Sequence, residues 1–343
     1  MLSSTSSSEQ RALAWVWLTA IVVAGLALLA LDRHWRAFGM PAGLIDSKQL
    51  WSIQRDRVYG DDPRSVVFIG ASRSAYGIDP KQWRTLLPET KPVMLSINGR
   101  HPIALLRDLA ADSNFHGLLI CDVDTHGMLR RWWDMQQEYV DYHRLRWTPN
   151  WHVHRLMLNI WQRTSVLANP ALGWKASLQR AFEGGTPYIP VTRINSSRGG
   201  EILFDQFDAD ASARAFDEGA EQKMHEPLPP VAEFLADAGQ IQSWVQTIQR
   251  RGGEVVFFQP PVSGRVAALE REYFDRAAYW DVFAAMDGIH ALHADDVPAM
   301  QALSLPDHSH VRGEDRAVLT TLLVQALQRR GWLGESQPAP ALR

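Results

Sequence analysis

Apolar residues occur along most of the chain in two alternating patterns, short continuous runs and longer segments with helical spacing. The short runs predict buried strands, and the spaced segments predict helices that pack against them. This alternation is typical of an α/β fold with a parallel sheet between helical layers. The predicted strands cover residues 66–69, 93–97, 117–123, 254–259 and 289–294, and the predicted helices cover residues 80–87, 102–112, 231–251, 266–287 and 317–327.

The first apolar segment differs from the others in length. Residues 12–31 contain no Asp, Glu, Lys or Arg, and a stretch of this length is what a helix needs to cross a bilayer. Trp15, Trp17 and Trp35 lie near its two ends, where interfacial aromatic residues are common. A cleaved signal peptide would have a shorter apolar core and a better small-residue cleavage site. We therefore expect a transmembrane anchor that stays attached.

The domain organisation follows from where the α/β alternation begins and stops. It predicts a cytoplasmic tail at 1–11, a connector at 32–61, an α/β domain at 62–333 with an insertion at about 128–230, and a C-terminal tail at 334–343. The insertion is rich in Trp, His and Arg. Segments that cover the carboxyl edge of a parallel sheet line the cleft there, so we expect the insertion to select the substrate.

Overall composition excludes some functions. The formal net charge is −3 over 343 residues, which favours neither nucleic-acid binding nor strong attachment to anionic lipid. Cys121 is the only cysteine, so no internal disulfide can form. It lies in a predicted strand, where a cysteine is usually a small core residue.

Ser72 is the first candidate for chemistry because it follows a predicted strand across the small residues Gly70 and Ala71. Such a turn allows a hydroxyl to project from the carboxyl edge of a sheet, where α/β folds present nucleophiles. An ordinary strand-to-helix turn has the same sequence pattern. The interpretation therefore depends on a partner elsewhere in the chain.

That partner is predicted in the loop before the last helix, where Asp307 and His310 are three residues apart. In this spacing the carboxylate can bind one imidazole nitrogen and leave the other free to accept a proton from a serine. His308 is an alternative base. It is adjacent to Asp307 in the chain, so its side chain is expected to point elsewhere.

The two blocks resemble those of the SGNH (GDSL-type) hydrolase superfamily, in which a Gly-Asp-Ser block supplies the nucleophile and an Asp-x-x-His block completes the triad. Residues 70–72 and 307–310 match these blocks. The Gly-x-Ser-Arg-Ser form and the anchor look like extracytoplasmic proteins that work beside membrane-bound O-acyltransferases, for example in alginate O-acetylation or teichoic-acid D-alanylation. The chain departs from the pattern at Ala71, where the family usually has Asp, and has no clear Gly-x-Asn-Asp block.

This resemblance implies a flavodoxin-like, three-layer αβα domain with Ser72 as nucleophile, His310 as base and Asp307 as its orienting acid. It implies an O-acetyltransferase or acetylesterase of an envelope or secreted polysaccharide, on the periplasmic side of a bacterial inner membrane. A multispanning membrane-bound O-acyltransferase is the implied partner, since an enzyme outside the cytoplasm must receive its acyl group from across the membrane. No metal or organic cofactor is implied.

Four further residues are expected near the nucleophile. The segment 96–99 is similar to the second block of the family, which implies that the Gly99 backbone N–H binds the oxyanion and that Asn98 is a side-chain donor. A plain turn is the alternative there. Arg73 follows the nucleophile directly, and Ser263 lies in the loop after the fourth predicted strand. Both are expected to contact substrate.

Metal chemistry is the competing hypothesis, because His290 and His293 are followed by two aspartates. Strand alternation would place these histidines on opposite faces of the sheet, so they are predicted to be ordinary strand residues. The polar cluster of residues 122–126 is expected at the same edge as the nucleophile. It is predicted either to help bind substrate or to be a polar loop.

Two alternatives remain open at the level of sequence. Arg11 precedes the apolar segment while Arg33 and Arg36 follow it, so the local charge count favours a cytoplasmic domain, whereas the resemblance implies the opposite orientation. The second alternative is a non-catalytic scaffold or polymer-binding subunit of an export complex. Ala71 favours that role, and the retained Ser, Asp and His favour an enzyme.

Overall fold

The computed structural model describes residues 7–60 and 64–333, with side chains from residue 10 onward. The predicted tail at 334–343, the first six residues and residues 61–63 lie outside the described residues. The chain forms two compact units. Of the described residues, those up to Ile45 together with His154–Pro190 form the first unit, and those between Asp46 and Val153 and from Val191 onward form the second.

The second unit contains a five-stranded parallel sheet, which confirms the predicted α/β fold class. Its strands are β1 (Arg64–Ile69), β2 (Thr90–Met94), β3 (Leu118–Asp122), β6 (Glu254–Gln259) and β7 (His290–His293), and a separate antiparallel hairpin contains β4 (Thr192–Ile194) and β5 (Gly200–Ile202). The order across the sheet is β2-β1-β3-β6-β7. β2 begins three residues before the predicted strand and includes Pro92, which is tolerated because β2 is at the edge of the sheet.

Both faces of the sheet are buried. In β1, Val67 and Ile69 enter one hydrophobic core, whereas Val66 and Phe68 enter the other. A strand that is covered on both sides has no polar face, which is why these strands read as continuous apolar runs.

The helices between the strands largely follow the prediction. They are α1 (Ser7–Ala37), α2 (Lys48–Arg55), α3 (Ser72–Gly77), α4 (Pro80–Leu86), α5 (Ile103–Ala111), α6 (Gln137–Arg146), α7 (Asn150–Thr164), α8 (Trp174–Glu183), α9 (Ala209–Met224), α10 (Val231–Gln249), α11 (Gly264–Ala268), α12 (Trp280–Ala284), α13 (Pro298–Gln301) and α14 (Arg316–Arg329). At the start of α4, Asp79 caps Lys81 N–H and Pro80 occupies the first turn, as the sequence predicts.

The prediction of one continuous helix at 266–287 is wrong. The segment contains α11, a π-helical turn at Leu269–Tyr273, and the short α12. Asp275 interrupts the helix, because its side chain accepts a hydrogen bond from Ala277 N–H and offers the backbone a turn instead. The apolar residues keep helical spacing across this break although the backbone does not continue as one helix, and this spacing led to the wrong prediction.

The first unit contains α1, α8 and most of α7. Within α1, Gln10–Ala37 is long and apolar enough to cross a membrane, and none of its most apolar window is buried inside the protein. The segment predicted as a single insertion is divided, because residues 154–190 belong to this unit and the remainder belongs to the unit with the sheet.

Candidate active site

Ser72 lies at the start of α3, directly after the turn that ends β1. The turn requires glycine at position 70, since a Cβ there would lie 2.6 Å from Asp122 Cβ and would overlap Ser74 Oγ. The close approach of the chain to β3 therefore fixes where the Ser72 hydroxyl leaves the sheet.

The structure brings together Ser72, His310 and Asp307 in the expected order. His310 Nε2 lies 2.8 Å from Ser72 Oγ, and His310 Nδ1 lies 2.8 Å from Asp307 Oδ2. The other Asp307 oxygen accepts the backbone N–H groups of Ser309 at 3.1 Å and His310 at 2.8 Å. The loop thus forms a small closed turn that holds the carboxylate against the imidazole.

The charge state of Asp307 follows from the same contacts. Burial by itself raises its pKa, but hydrogen bonds from His310 and from two backbone N–H groups outweigh that effect and lower the pKa below the ordinary value. Asp307 is therefore a carboxylate at neutral pH, and an anion at His310 Nδ1 keeps Nε2 available as a proton acceptor from Ser72.

His308, the alternative base, is directed to a different partner. Its Nδ1 lies 2.9 Å from Asp217 Oδ1 of α9, and its backbone has the unusual φ of 65°. The ring also packs on Gly264, where a Cβ would overlap it. The neighbouring residue on α9, Phe216, meets the His310 ring edge-on at 5.4 Å. Helix α9 therefore supports both histidines, a role that the sequence did not reveal.

The expected oxyanion loop continues the pairing of β2 with β1. Leu95 N–H donates to Phe68 O at 2.8 Å, and Ile97 N–H donates to Gly70 O at 2.9 Å. This pairing places residues 98 and 99 beside the nucleophile turn. Gly99 is exposed and has a φ of 69°, which favours glycine. Its role and that of Asn98 in holding an oxyanion remain predictions.

Arg73 lies beside the nucleophile, as expected, but its guanidinium is held by buried acids. It forms ion pairs with Asp124 and, at 3.1 Å, with Glu270. Glu270 also accepts a hydrogen bond from Gln259. These ion pairs compensate the Arg73 charge, and its contact with substrate stays a prediction.

The net pKa shifts of the two acids have opposite directions, although burial raises the pKa of both. Burial raises the pKa of Glu270 to about 7, with the opposing charge of Arg73 only partly compensating. For Asp124, burial also raises the pKa, but the charge of Arg73 outweighs it and holds the pKa well below its ordinary value. Asp124 is therefore the principal counter-ion of Arg73, and Glu270 is close to its protonation midpoint at neutral pH. No local sequence pattern pointed to Glu270, which lies in the segment with the wrong helix prediction.

The polar cluster after β3 lies at this edge as expected, and Asp122 has a clear structural contact. Its carboxylate accepts Ser74 N–H at 2.9 Å, and Ser74 Oγ lies 2.7 Å from Ser96 Oγ. Burial raises the pKa of Asp122 to about 6. These bonds fix the first turn of α3 against the two neighbouring strands.

His101, Asp124 and His126 place their ligand atoms within 4.8 Å of one another and form a group that could hold a metal ion. Burial lowers the pKa of both histidines, that of His126 to about 3, so both rings are neutral. However, Trp132 donates its indole N–H to His126 Nε2 at 3.1 Å, and Arg73 already neutralises Asp124. A second cation at this position would meet the Arg73 charge directly.

The other histidines of the metal hypothesis are separated as the strand alternation predicts. His290 stacks on Trp332 at 4.7 Å, whereas His293 meets Trp280 at 5.6 Å, and the two tryptophans pack into the cores on opposite faces of the sheet. Ser263 contributes through its backbone, because its N–H donates to His308 O at 2.9 Å. It thereby ties the loop after β6 to the His310 loop.

A scan against protein-family models finds no match to this chain, and a search of curated proteins finds none either. The chemistry of the site must therefore be inferred from its own groups. A hydroxyl, an imidazole and a buried carboxylate in series can activate the hydroxyl as a nucleophile.

Proposed function

We propose that the chain is a membrane-anchored, SGNH-type serine acyl enzyme, an O-acetyltransferase or acetylesterase of an envelope or secreted polysaccharide. The observation that carries the proposal is the pair of 2.8 Å contacts that connect Ser72 Oγ through His310 to Asp307. A protein that only binds polymer has no requirement for this relay, whereas nucleophilic catalysis depends on it.

In the proposed reaction, Ser72 Oγ bonds to the carbonyl carbon of the ester while its proton passes to His310 Nε2. The tetrahedral oxyanion is stabilised by backbone N–H groups, for which Ser72 and Gly99 are the candidates. The bond to the leaving alcohol then breaks, and His310 returns the proton to that alcohol. A polymer hydroxyl or water then gives its proton to His310 Nε2 and attacks the acyl carbon. The bond from that carbon to Ser72 Oγ breaks, and His310 returns the proton to Oγ.

Strand order supports the proposed fold family. Without the small hairpin, the order β2-β1-β3-β6-β7 becomes 2-1-3-4-5 when the strands are numbered consecutively along the chain. This is the order of flavodoxin-like sheets, in which ligands bind outside the carboxyl ends of the strands where the order reverses. That reversal occurs at β1 and β3, which precede Ser72 and Asp124.

The cellular setting is part of the same proposal. Helix α1 would anchor the chain in a bacterial inner membrane with the sheet-containing unit in the periplasm. A multispanning membrane-bound O-acyltransferase would then supply the acyl group. The length and composition of α1 support the anchor, and the resemblance described above supports the orientation and the partner.

A covalent probe tests the proposal directly. The detergent-solubilised full chain is treated with a fluorophosphonate, which bonds to an activated serine, and the modified peptide is located by mass spectrometry. We expect modification at Ser72, loss of modification in Ser72→Ala and His310→Ala, and retention in His308→Ala. Modification that is absent from the unaltered protein, or unchanged in Ser72→Ala, would favour the scaffold function instead.

A further inference from the structure

Helix α7 is amphipathic, but it buries polar side chains and exposes apolar ones, which is the reverse of a surface helix in a water-soluble domain. Its buried residues are Arg155 and Gln162, which bond to each other and to the backbone of Ile45. Its large apolar side chains point outward, on the opposite side of the helix. In the part of α7 that belongs to the first unit, the apolar side chains that are more than half exposed are Leu156, Met157, Ile160 and Trp161.

Helix α8 repeats this pattern. Trp174, Leu178 and Phe182 recur every four residues and form one apolar stripe. All three are exposed, and Phe182 is exposed to 83%. Exposed apolar stripes on two helices of one unit are a mark of an interaction site. We call the outward apolar side chains of these two helices the α7–α8 face.

The α7–α8 face is held at one end of the membrane-spanning helix. Asp32 is the first charged residue after the uncharged run of α1. Its carboxylate accepts hydrogen bonds from Ser165 Oγ at 2.7 Å and Val166 N–H at 2.9 Å. Arg36 donates to Thr164 O at 2.7 Å. The C-terminal end of α7 is thus fixed at the level where the apolar part of α1 ends, which is where a bilayer around α1 would meet water.

The charge of the segment that contains α7 and α8 is suited to an anionic lipid surface, although the net charge of the whole chain does not indicate binding to one. Residues 154–182 contain no Asp or Glu, and their basic residues other than the buried Arg155 are Arg163, Lys175 and Arg180. Lys175 lies over the Trp174 ring at 5.6 Å. Interfacial helices commonly combine exposed Trp, Phe and Leu with flanking Lys and Arg, which attract anionic headgroups.

We propose that α7 and α8 lie in the headgroup region of the bilayer that α1 crosses, with the α7–α8 face against the acyl chains. The proposal goes beyond the catalytic function and shares with it only the requirement that α1 spans a membrane. A bilayer is the occupant that the structure favours, because the bonds from Asp32 and Arg36 hold the C-terminal end of α7 at the level where the apolar run of α1 ends. The anchor would then be a three-helix platform rather than a single flexible tether.

The test uses the full chain in lipid nanodiscs that contain phosphatidylcholine with phosphatidylglycerol. Met157→Cys and Leu178→Cys are each labelled with an environment-sensitive fluorophore. Cys121 is buried, so labelling is confined to the new thiol. Gln179→Cys is the matched control, because Gln179 is exposed on α8 and lies about 100° around the helix from Leu178.

We expect the labels at positions 157 and 178 to shift to shorter emission wavelength and to be quenched by lipids brominated near the headgroup end of the acyl chain. The label at position 179 should instead be quenched by aqueous iodide. Water-like emission at 157 and 178 would overturn the proposal. Protection of these two labels from both quenchers would also overturn it. If that protection depends on the number of chains per disc, the α7–α8 face is covered by a second copy of the chain instead. The measurement does not require catalysis and can be repeated in Ser72→Ala, so its failure is distinct from failure of the enzymatic proposal.

Discussion

Asp122 at the end of β3 accepts a 2.9 Å hydrogen bond from the backbone N–H of Ser74, two residues beyond the candidate nucleophile. The bond joins the carboxyl end of β3 to the first turn of α3, which follows the neighbouring strand β1. Because Gly70 has no side chain, the carboxylate can approach the turn closely enough to form it. The position of Ser72 is therefore set from the adjacent strand as well as from its own.

The first prediction concerns Gly70→Ala. The added methyl group would overlap buried atoms of Asp122 and Ser74, so we expect a loss of about 1–3 kcal/mol in the free energy of unfolding, with loss of esterase activity. Gly239→Ala is the control, because no atom lies within 4 Å of its Cβ position in α10. This control should be neutral or more stable by about 0.5–1 kcal/mol. Chemical denaturation in detergent and hydrolysis of an activated acetyl ester provide the two measurements. Equal effects of the two substitutions would contradict the packing argument.

The second prediction is that Ser72, His310 and Asp307 act as one unit. Ser72→Ala and His310→Ala should each lower kcat/KM for the acetyl ester by about 10⁴-fold or more, and the double variant should be no worse than either single one. The reason is that each substitution alone interrupts the same proton transfer.

His308→Ala is the matched control for that series. Its imidazole is bound to Asp217, so the variant should retain most of the activity. Full activity in His310→Ala together with loss in His308→Ala would show that the base has been assigned to the wrong histidine.

The third prediction is a pH dependence of stability that arises from Glu270. Burial raises its pKa from 4.5 to about 7, so the folded state binds this proton more tightly than the unfolded state. The resulting stabilisation is complete below about pH 4.5 and is lost as the pH rises through 7. Relative to Glu270→Gln, the unaltered protein should therefore lose on the order of 1–3 kcal/mol between these pH values.

Heat unfolding of the solubilised full chain at several pH values measures this difference. In Glu270→Gln the new amide has a partner, because Gln259 Oε1 is buried without a hydrogen bond among the described residues and can accept from it. Glu233→Gln on the exposed side of α10 is the control and should leave the pH profile unchanged. A parallel profile in Glu270→Gln and the unaltered protein would refute the linkage.

The fourth prediction concerns orientation in the membrane. Alkaline phosphatase fused after Leu333 should be active in intact cells, and β-galactosidase fused at the same point should be inactive, because the proposed function requires the domain outside the cytoplasm. The charges of Arg11, Arg33 and Arg36 favour the reverse result. The reverse pattern would therefore remove the basis for an envelope function.

Local sequence patterns determined much of the fold. The three central strands β1, β3 and β6 could be predicted because each is buried on both faces and so forms a nearly continuous apolar run. Ser72, Asp307 and His310 could be proposed for a similar reason, since the spacing of the last two and the small-residue turn before the first are local features. The apolar length of α1 could likewise be predicted from the sequence. In each case the physical cause acts within a few residues of the chain.

Only the tertiary structure decided which of these residues meet and which charges are compensated. Ser72 and His310 come into contact because β1 and the loop before α14 open at the same edge of the sheet, although 238 positions separate them. Glu270 joins Arg73 across 197 positions, and its shifted pKa arises from burial, which no local pattern reports. The outward apolar faces of α7 and α8 also follow from packing, because helical spacing defines a stripe but does not say whether protein, water or lipid will cover it.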